Sequence, residues 1–352
     1  MRCLTLAERL RLKGAECHFV CRDHEGAILE RIVSQGFELS VLPTSVPGSQ
    51  VVGEYGLPAH ASWLRCDWRL DGEQTRDATV GKAVNWLVVD HYAIDAGWER
   101  LLNSSCEKVM VIDDLADRCH DCDFLLDQNS GLRGSDYDGL VPARCRRLFG
   151  PEYALLRPEF AAGRQQGIDR SAVTTVNHLM INLGGVDQHN ITTTILDSLR
   201  TCPLPRACRI TVVMGATAPW LSNVRAAAEQ MPWRTEVRSD VADMAVLMLE
   251  SDLAIGAAGS TSWERCCLGL PSLIVILAEN QRVIAETLVS SGAAYMLDLA
   301  EDRPMSEQLA EVFDKVNRNS AELELMRDHA LQLTDGHGVD RVVNQMLKEM
   351  VL

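Results

Sequence analysis

The feature that most constrains this chain is a rhythm in which short apolar runs alternate with stretches of helical spacing, twice over. In the first half CHFVCRD (17–23), ELSVLP (38–43), WLVVDHY (86–92), KVMVIDD (108–114) and CDFLLDQN (122–129) are separated by helix-like segments such as AILERIVSQG (27–36) and DAGWERLLNS. Near-continuous Val, Ile and Leu runs of this length suit parallel strands covered on both faces, and parallel strands need crossover connections, most often helices. A polar, glycine-containing stretch, AAGRQQGIDRSAVTT (161–175), then interrupts. The rhythm restarts with HLMINLGG (178–185), RITVVMG (209–215), TEVRSD (235–240), DLAIGAAG (252–259) and LIVIL (273–277). The expectation is an α/β protein of two doubly wound, Rossmann-like domains, 1–160 and 176–352, joined by a linker over 161–175. A cleft between them is the default ligand site.

Length and charge narrow the partners. A chain of 352 residues exceeds a usual single core, so two domains are expected on size alone. The formal charge of -15 argues against a nucleic-acid or membrane-surface partner. Twelve cysteines without a regular framework read as reduced thiols of a cytoplasmic protein. Cys119 and Cys122 form a single CxxC with no second pair at zinc spacing, so neither a metal nor a cofactor is expected. No apolar run approaches the ~18 residues of a membrane span.

The chain opens directly on a helical pattern, MRCLTLAERLRLKG. Leu4, Leu6, Ala7, Leu10 and Leu12 make its apolar stripe, and Gly14 stands at the usual C-terminal position. No Ser, Thr, Asp or Asn caps its start, and no strand feeds into it.

Two glycine-bearing turns are candidate phosphate sites. In MINLGGVDQHNIT a strand ends in Gly184 and Gly185 before a helix expected near Asn190, where glycines let a backbone approach a phosphate and the helix amides favour negative charge. It lacks a third glycine and a P-loop lysine, so a tight strand-to-helix turn explains it equally well. In DLAIGAAGSTSWERCCLGLPSLIVIL, Gly256 to Gly259 would clear space beside a helix starting about Ser260 or Thr261, with Glu264 in its first turns. Thr261-Ser-Trp-Glu264 also fits a capping box, in which the glutamate merely returns to the cap amide. The alternative has this carboxylate accept two hydrogen bonds from a ribose diol.

These residues carry a family resemblance. The blocks MRCLTLAERL, LVVDHYAID, VIDDLADRCHDCDFLLDQN, YDGLVP, GPEYALLRPEF, INLGGVDQHN, GAAGSTSWERCCLGLPSLIVILAENQ and DGHGVDRV resemble, in order and nearly end to end, the UDP-2,4-diacetamido-2,4,6-trideoxy-β-L-altropyranose hydrolases of pseudaminic acid biosynthesis. Those enzymes are relatives of the GT-B sugar-nucleotide enzymes. The resemblance implies a GT-B fold with UDP held mainly by the second domain, a monomer, and a metal-independent, inverting hydrolysis that releases UDP and free sugar. Carried over by position, Glu264 matches the family glutamate at the nucleotide, and Gly184, Gly185, Ser260, Thr261 and Gln281 fall in the substrate pocket. Tyr92 and Asn280 match positions lining the sugar. Taken by itself, Tyr92 reads as a strand-end aromatic and Asn280 as an Asx turn. The tandem Asp113-Asp114 reads as the cap of a turn rather than a metal site.

The resemblance also implies a gap. In the family a catalytic histidine sits in a G-x-G-H loop after the first strand, immediately before a segment like VMRCLTLA. Met1 is the methionine of that segment, so the first strand, the loop and the histidine are expected upstream of the sequence given, and the activity of this chain is in question. A start site assigned at an internal methionine and a genuine truncation both fit. His91 and His189 are the remaining histidines near candidate turns, whereas His60 and the rest have no supporting context. Two rival readings stay open: a UDP-sugar glycosyltransferase of the same fold, and an inactive nucleotide-sugar-binding remnant.

Overall fold

The apolar runs form parallel strands. The computed structural model describes every residue except 25, 44–55, 130–133, 240, 300–302, 320 and 351–352. The chain divides into two units, Met1–Leu155 with Val339–Leu352, and Leu156–Gly338.

In the first unit the strands are β1 (His18–Arg22), β2 (Glu38–Leu42), β3 (Trp86–Val89), β4 (Lys108–Ile112), β5 (Phe124–Asp127) and β6 (Arg146–Phe149). They make two sheets rather than the one that the rhythm suggests: β1 pairs with β2, and β3-β4-β5-β6 follow chain order. The opening helix, Arg2–Leu12, spans both. Its Leu6 packs with Met110, Ile112 and Phe124 on the four-stranded sheet, while Leu4 and Ala7 pack with Ile32 and Phe37 over the two-stranded one. Met1 precedes it without a side-chain cap, and Gly14, with φ +88°, ends it in the left-handed conformation that glycine adopts without strain.

The second unit holds β7 (His178–Asn182), β8 (Arg209–Met214), β9 (Arg234–Ser239), β10 (Leu253–Ala257), β11 (Ser272–Val275) and β12 (Ala294–Leu297) in one parallel sheet of order β12-β11-β10-β7-β8-β9. Asp240, the end of the TEVRSD run, lies outside the described residues. Every residue of β7, β10 and β11 is buried, as unbroken apolar runs require of strands covered on both faces. Chain order runs outward in opposite directions from β7 and β10. That pair is the switch point, where open α/β sheets leave a crevice at the carboxyl ends of their strands.

Two expected boundaries are corrected. Of the linker expected over 161–175, residues 161–168 belong to a helix, Pro158–Ile168, with proline at its first position, Glu159 in its first turn and Phe160 buried. A Cβ at Gly167 would strike the backbone of Leu268, so this glycine permits a close approach to the second unit's own core. The last helix, Gly338–Met350, belongs with the first unit from Val339 onward. Val339, Val342, Val343 and Met346 repeat at i, i+3, i+4 and i+7 and pack with Met110, Phe124 and Leu126, while Lys108 pairs with Glu349 at 2.8 Å. No helix among the described residues is long and apolar enough to cross a membrane.

Candidate functional site

Three connections leave one edge of the second sheet, after β7, β10 and β11. Gly256 of β10 registers with Asn182 of β7 on one side and Ile274 of β11 on the other. Gly184 and Gly185, then Ser260, Thr261 and Glu264, then Asn280 and Gln281 therefore all follow the carboxyl ends of neighbouring strands.

The first connection is a glycine turn with open space around it. Gly184 has φ +93°, and a Cβ built at Gly184 or Gly185 meets nothing within 4 Å. Gly215 supports the turn from behind, its N–H donating to the Gly185 carbonyl at 2.9 Å. A Cβ at Gly215 would collide with that carbonyl. Asp187 (φ 47°) and Asn190 (φ 55°) hold left-handed conformations that side-chain-bearing residues seldom adopt. The helix that follows, Ile191–Leu199, does not offer its first amides to an anion as the sequence suggested. Asp187 takes them, accepting from Ile191 N–H at 3.0 Å and Thr192 N–H at 2.9 Å.

The second connection places Glu264. Its helix is Thr261–Cys267, so exposed Ser260 holds the cap position without a side-chain bond, and Thr261, already helical and accepting from Arg265 at 3.3 Å, is out of register for the Thr261–Glu264 capping box. Glu264 faces Arg157 at 3.7 Å instead, and Arg157 holds Glu159 more closely at 2.8 Å. Burial pushes the Glu264 carboxyl up to about 7, against the pull of Arg157 and Arg265. The result is a half-buried carboxyl with acceptor capacity to spare. Gly256 does not clear space for a ligand. The guanidinium of fully buried Arg265 lies against it, donating to the Ala257 carbonyl at 3.1 Å and Ser262 Oγ at 2.9 Å. Gly259 is the open position, with nothing within 4 Å of a built Cβ. In the third connection Asn280 is exposed within the turn Glu279–Gln281. Gln281 is turned inward, accepting from Leu277 N–H at 3.0 Å, and braces the loop.

Tyr92 stands in the first unit. β3 ends at Val89, so His91 and Tyr92 lie beyond the strand and its alternation of faces. Tyr92 donates its hydroxyl to Asp114 Oδ1 at 2.6 Å, and Asn129 Nδ2 donates to the other oxygen at 2.9 Å. Burial and the Asp114 charge both raise the Tyr92 phenol, which keeps its proton as a donor. Arg2 pairs with Asp90 at 2.7 Å and reaches within 3.9 Å of Asp114. Asp113 caps its own turn, accepting from Leu115 and Ala116 N–H at 3.2 Å each. Burial would raise its carboxyl, but Arg118, His120 and those amides outweigh burial and hold it low. His91 accepts from Ala93 N–H at 3.1 Å, and burial lowers its pKa, so it is a neutral turn-former. His189 is exposed.

Residues 209–344 match the Glycosyltransferase family 28 C-terminal domain. Over 99% of this chain and 95% of its own, the structure of Acinetobacter baumannii MurG superposes with a TM-score of 0.67 at 16% identity. CalG4, the calicheamicin glycosyltransferase, follows 98% of the chain with a TM-score of 0.62 at 13% identity. The fold is GT-B. Among sequences, the spore coat polysaccharide biosynthesis protein SpsG of Bacillus subtilis is 30% identical over 57% of this chain, a stretch that spans 58% of SpsG. The UDP-2,4-diacetamido-2,4,6-trideoxy-beta-L-altropyranose hydrolase of Campylobacter jejuni is 28% identical over 58% of this chain and 71% of its own length. The sequence singled out the glycine turn and Glu264 as candidates, whereas Arg157 beside Glu264, and Asn129, Arg2 and Asp114 around Tyr92, come from the structure. Strand-end carboxylates were the available signal for Asp114. For Arg157, which meets Glu264 only through folding, no local signal exists.

Proposed function

We propose that the protein is a GT-B enzyme acting on a UDP-linked sugar, and that it hydrolyses a UDP-linked 2,4-diacetamido-2,4,6-trideoxy sugar at the anomeric carbon, as in pseudaminic acid biosynthesis. The observation that carries the reading is Glu264, a half-buried carboxyl without a capping role, on the connection after β10 at the switch point. Such a carboxylate suits a ribose diol, whose two hydroxyls donate to it. The open backbone at Gly185 and the chain at Ser260 suit the diphosphate. UDP leaves as an anion, so the reaction needs no protonated carboxyl on the leaving oxygen, unlike ordinary glycoside hydrolysis. Tyr92, held protonated on Asp114, and Asn280 are the proposed sugar contacts.

Calorimetric titration with UDP tests the nucleotide half. Glu264→Gln should weaken UDP by about 1–3 kcal/mol, the scale of a lost charge-assisted hydrogen bond. An unchanged affinity in a folded variant removes the ribose role. The match of residues 209–344 to the Glycosyltransferase family 28 C-terminal domain supports a second reading, transfer of the sugar to an acceptor. Release of UDP together with free sugar in the absence of any acceptor separates hydrolysis from transfer.

A further inference from the structure

The sequence pairs Cys119 with Cys122 as a CxxC, but the sulfur that Cys122 meets in the fold is that of Cys145. Cys122 stands just before β5 and Cys145 just before β6, and these parallel neighbours bring the two sulfurs to 3.5 Å. Phe124 lies opposite Arg146, and Arg146 N–H donates to the Asp123 carbonyl at 2.7 Å, which fixes both strand entries. The pair is unequal. Cys122 is fully buried in the apolar cluster with Leu125 and Tyr137, whereas Cys145 packs at the edge of that cluster and is half-buried. Arg144 and Arg147 flank Cys145 in the chain, each already paired, Arg144 with Asp121 at 2.6 Å and Arg147 with Asp138 at 2.7 Å. The bond from the Cys122 thiol first, then Arg147 and Arg144, hold the Cys145 thiol below its ordinary value against burial and Asp123. Burial instead pushes the thiols of Cys202, Cys208, Cys266 and Cys267 up. A half-buried sulfur with thiolate character beside a buried one that keeps its proton is the arrangement of an attacking and a resolving cysteine.

We propose that Cys122 and Cys145 are a peroxide-sensitive pair that closes into a reversible disulfide and clamps the first unit. The Cys145 thiolate attacks a peroxide oxygen: the S–O bond forms, the O–O bond breaks, and hydroxide leaves, taking up the proton that Cys145 released. The Cys122 sulfur then attacks the sulfenic sulfur of Cys145. The S–S bond forms, the S–O bond breaks, and the hydroxyl departs with the Cys122 proton as water, so two sulfurs are oxidised while one peroxide is reduced to two waters. Adjacent strands lie about 4.8 Å apart, within the Cα separations that a disulfide spans. The bond would join the amino ends of β5 and β6, whereas Tyr92 and Asn129 follow the carboxyl ends of β3 and β5. It therefore ties the sheet without entering the candidate site, and it stands independently of the UDP-sugar reading.

The test treats the reduced full chain with hydrogen peroxide, alkylates the remaining thiols in denaturant and maps the cysteines by mass spectrometry. Two of the twelve thiols should disappear together, as a Cys122–Cys145 link that dithiothreitol reverses. The link should form as readily in Cys119→Ser and be lost in Cys145→Ser. The oxidised wild type should unfold its first unit at a higher denaturant concentration than the reduced protein, a shift that vanishes in Cys145→Ala. A Cys119–Cys122 link in the folded wild type overturns the proposal, as does Cys145 carried to the sulfinic acid while Cys122 stays a free thiol. Equal thiol loss in the wild type and in both Cys145 variants overturns it as well, by placing the reactive sulfur elsewhere. Should those variants fold poorly, the wild-type map decides alone: the link must appear in folded protein at a peroxide concentration that leaves Cys266 and Cys267 unoxidised, and its absence there sinks the pair.

Discussion

In the second unit one face of the six-stranded sheet carries a single apolar cluster that runs from Val176 to Met326, whereas the described apolar side chains of the first unit fall into smaller clusters tied by buried polar bonds. Asp71 accepts from Arg22 of β1 at 2.7 Å and from Trp98 at 2.9 Å, so one carboxylate joins the two-stranded sheet to the helices Trp68–Ala78 and Ala96–Leu102. A second network links Glu99 to His120 at 2.7 Å, and Asp113 to Arg118 at 2.8 Å and Tyr137 at 3.0 Å. The difference follows from the sheets. A continuous six-stranded sheet presents a wide face, and non-directional apolar burial is enough to hold helices on it. Two narrow sheets offer no shared face, so bonds of fixed geometry align the pieces, and each leaves a costly orphan if a partner is lost.

That contrast breaks most visibly at Asp71. Asp71→Ala should strand the Arg22 guanidinium and cost about 3–5 kcal/mol, unfolding the first unit in denaturant ahead of the second. Adding Arg22→Met should recover much of the loss. A single variant that unfolds like the wild type would mean that the first unit is held by its apolar clusters after all.

A paired truncation compares strand with strand. Ile255→Ala in fully buried β10 should cost about 2–5 kcal/mol, while Val20→Ala in half-buried β1 should cost under about 1 kcal/mol. Equal losses in chemical denaturation would erase the distinction between a central strand and a strand of the two-stranded sheet.

The smallest effect is a shared one, because each unit holds one carboxyl that titrates at about 7. Glu264 is raised chiefly by burial; Asp127 is raised chiefly by burial and then by Asp114 and Asp113, against the N–H bond from Asn129. Both groups bind protons more readily folded than unfolded. Their contribution to stability is complete below the ordinary carboxyl pKa of about 4 and is lost as pH rises through about 7, on the order of 1–3 kcal/mol for each. Glu264→Gln should flatten that decline in the second unit and Asp127→Asn in the first. A pH profile that neither variant alters would remove both carboxyls from the account.

Local pattern made much of this legible. Val-, Ile- and Leu-rich runs announced the strands because burial on both faces leaves no room for polar alternation, and the second half's turns after β7 and β10 were visible as glycines following such runs. The helix Thr261–Cys267 begins where the small residues end, as expected. The linker expectation missed the helix over 161–168 because polar composition does not distinguish a loop from a helix whose buried positions are few, here Phe160 and Gly167.

Sequence alone determined the parallel α/β class, the two halves and the glycine turn of the second, since each rests on periodicity within about a dozen residues. Only the tertiary structure decided that Arg157 rather than a cap amide meets Glu264, that Asp187 fills the amides after the glycine turn, and that Arg265 fills the space at Gly256. It also decided that the last helix returns to the first unit and that His60 and Trp63 gather at Tyr92. Many of these contacts join residues far apart in the chain, and their energy depends on distance in space, which no window along the sequence contains.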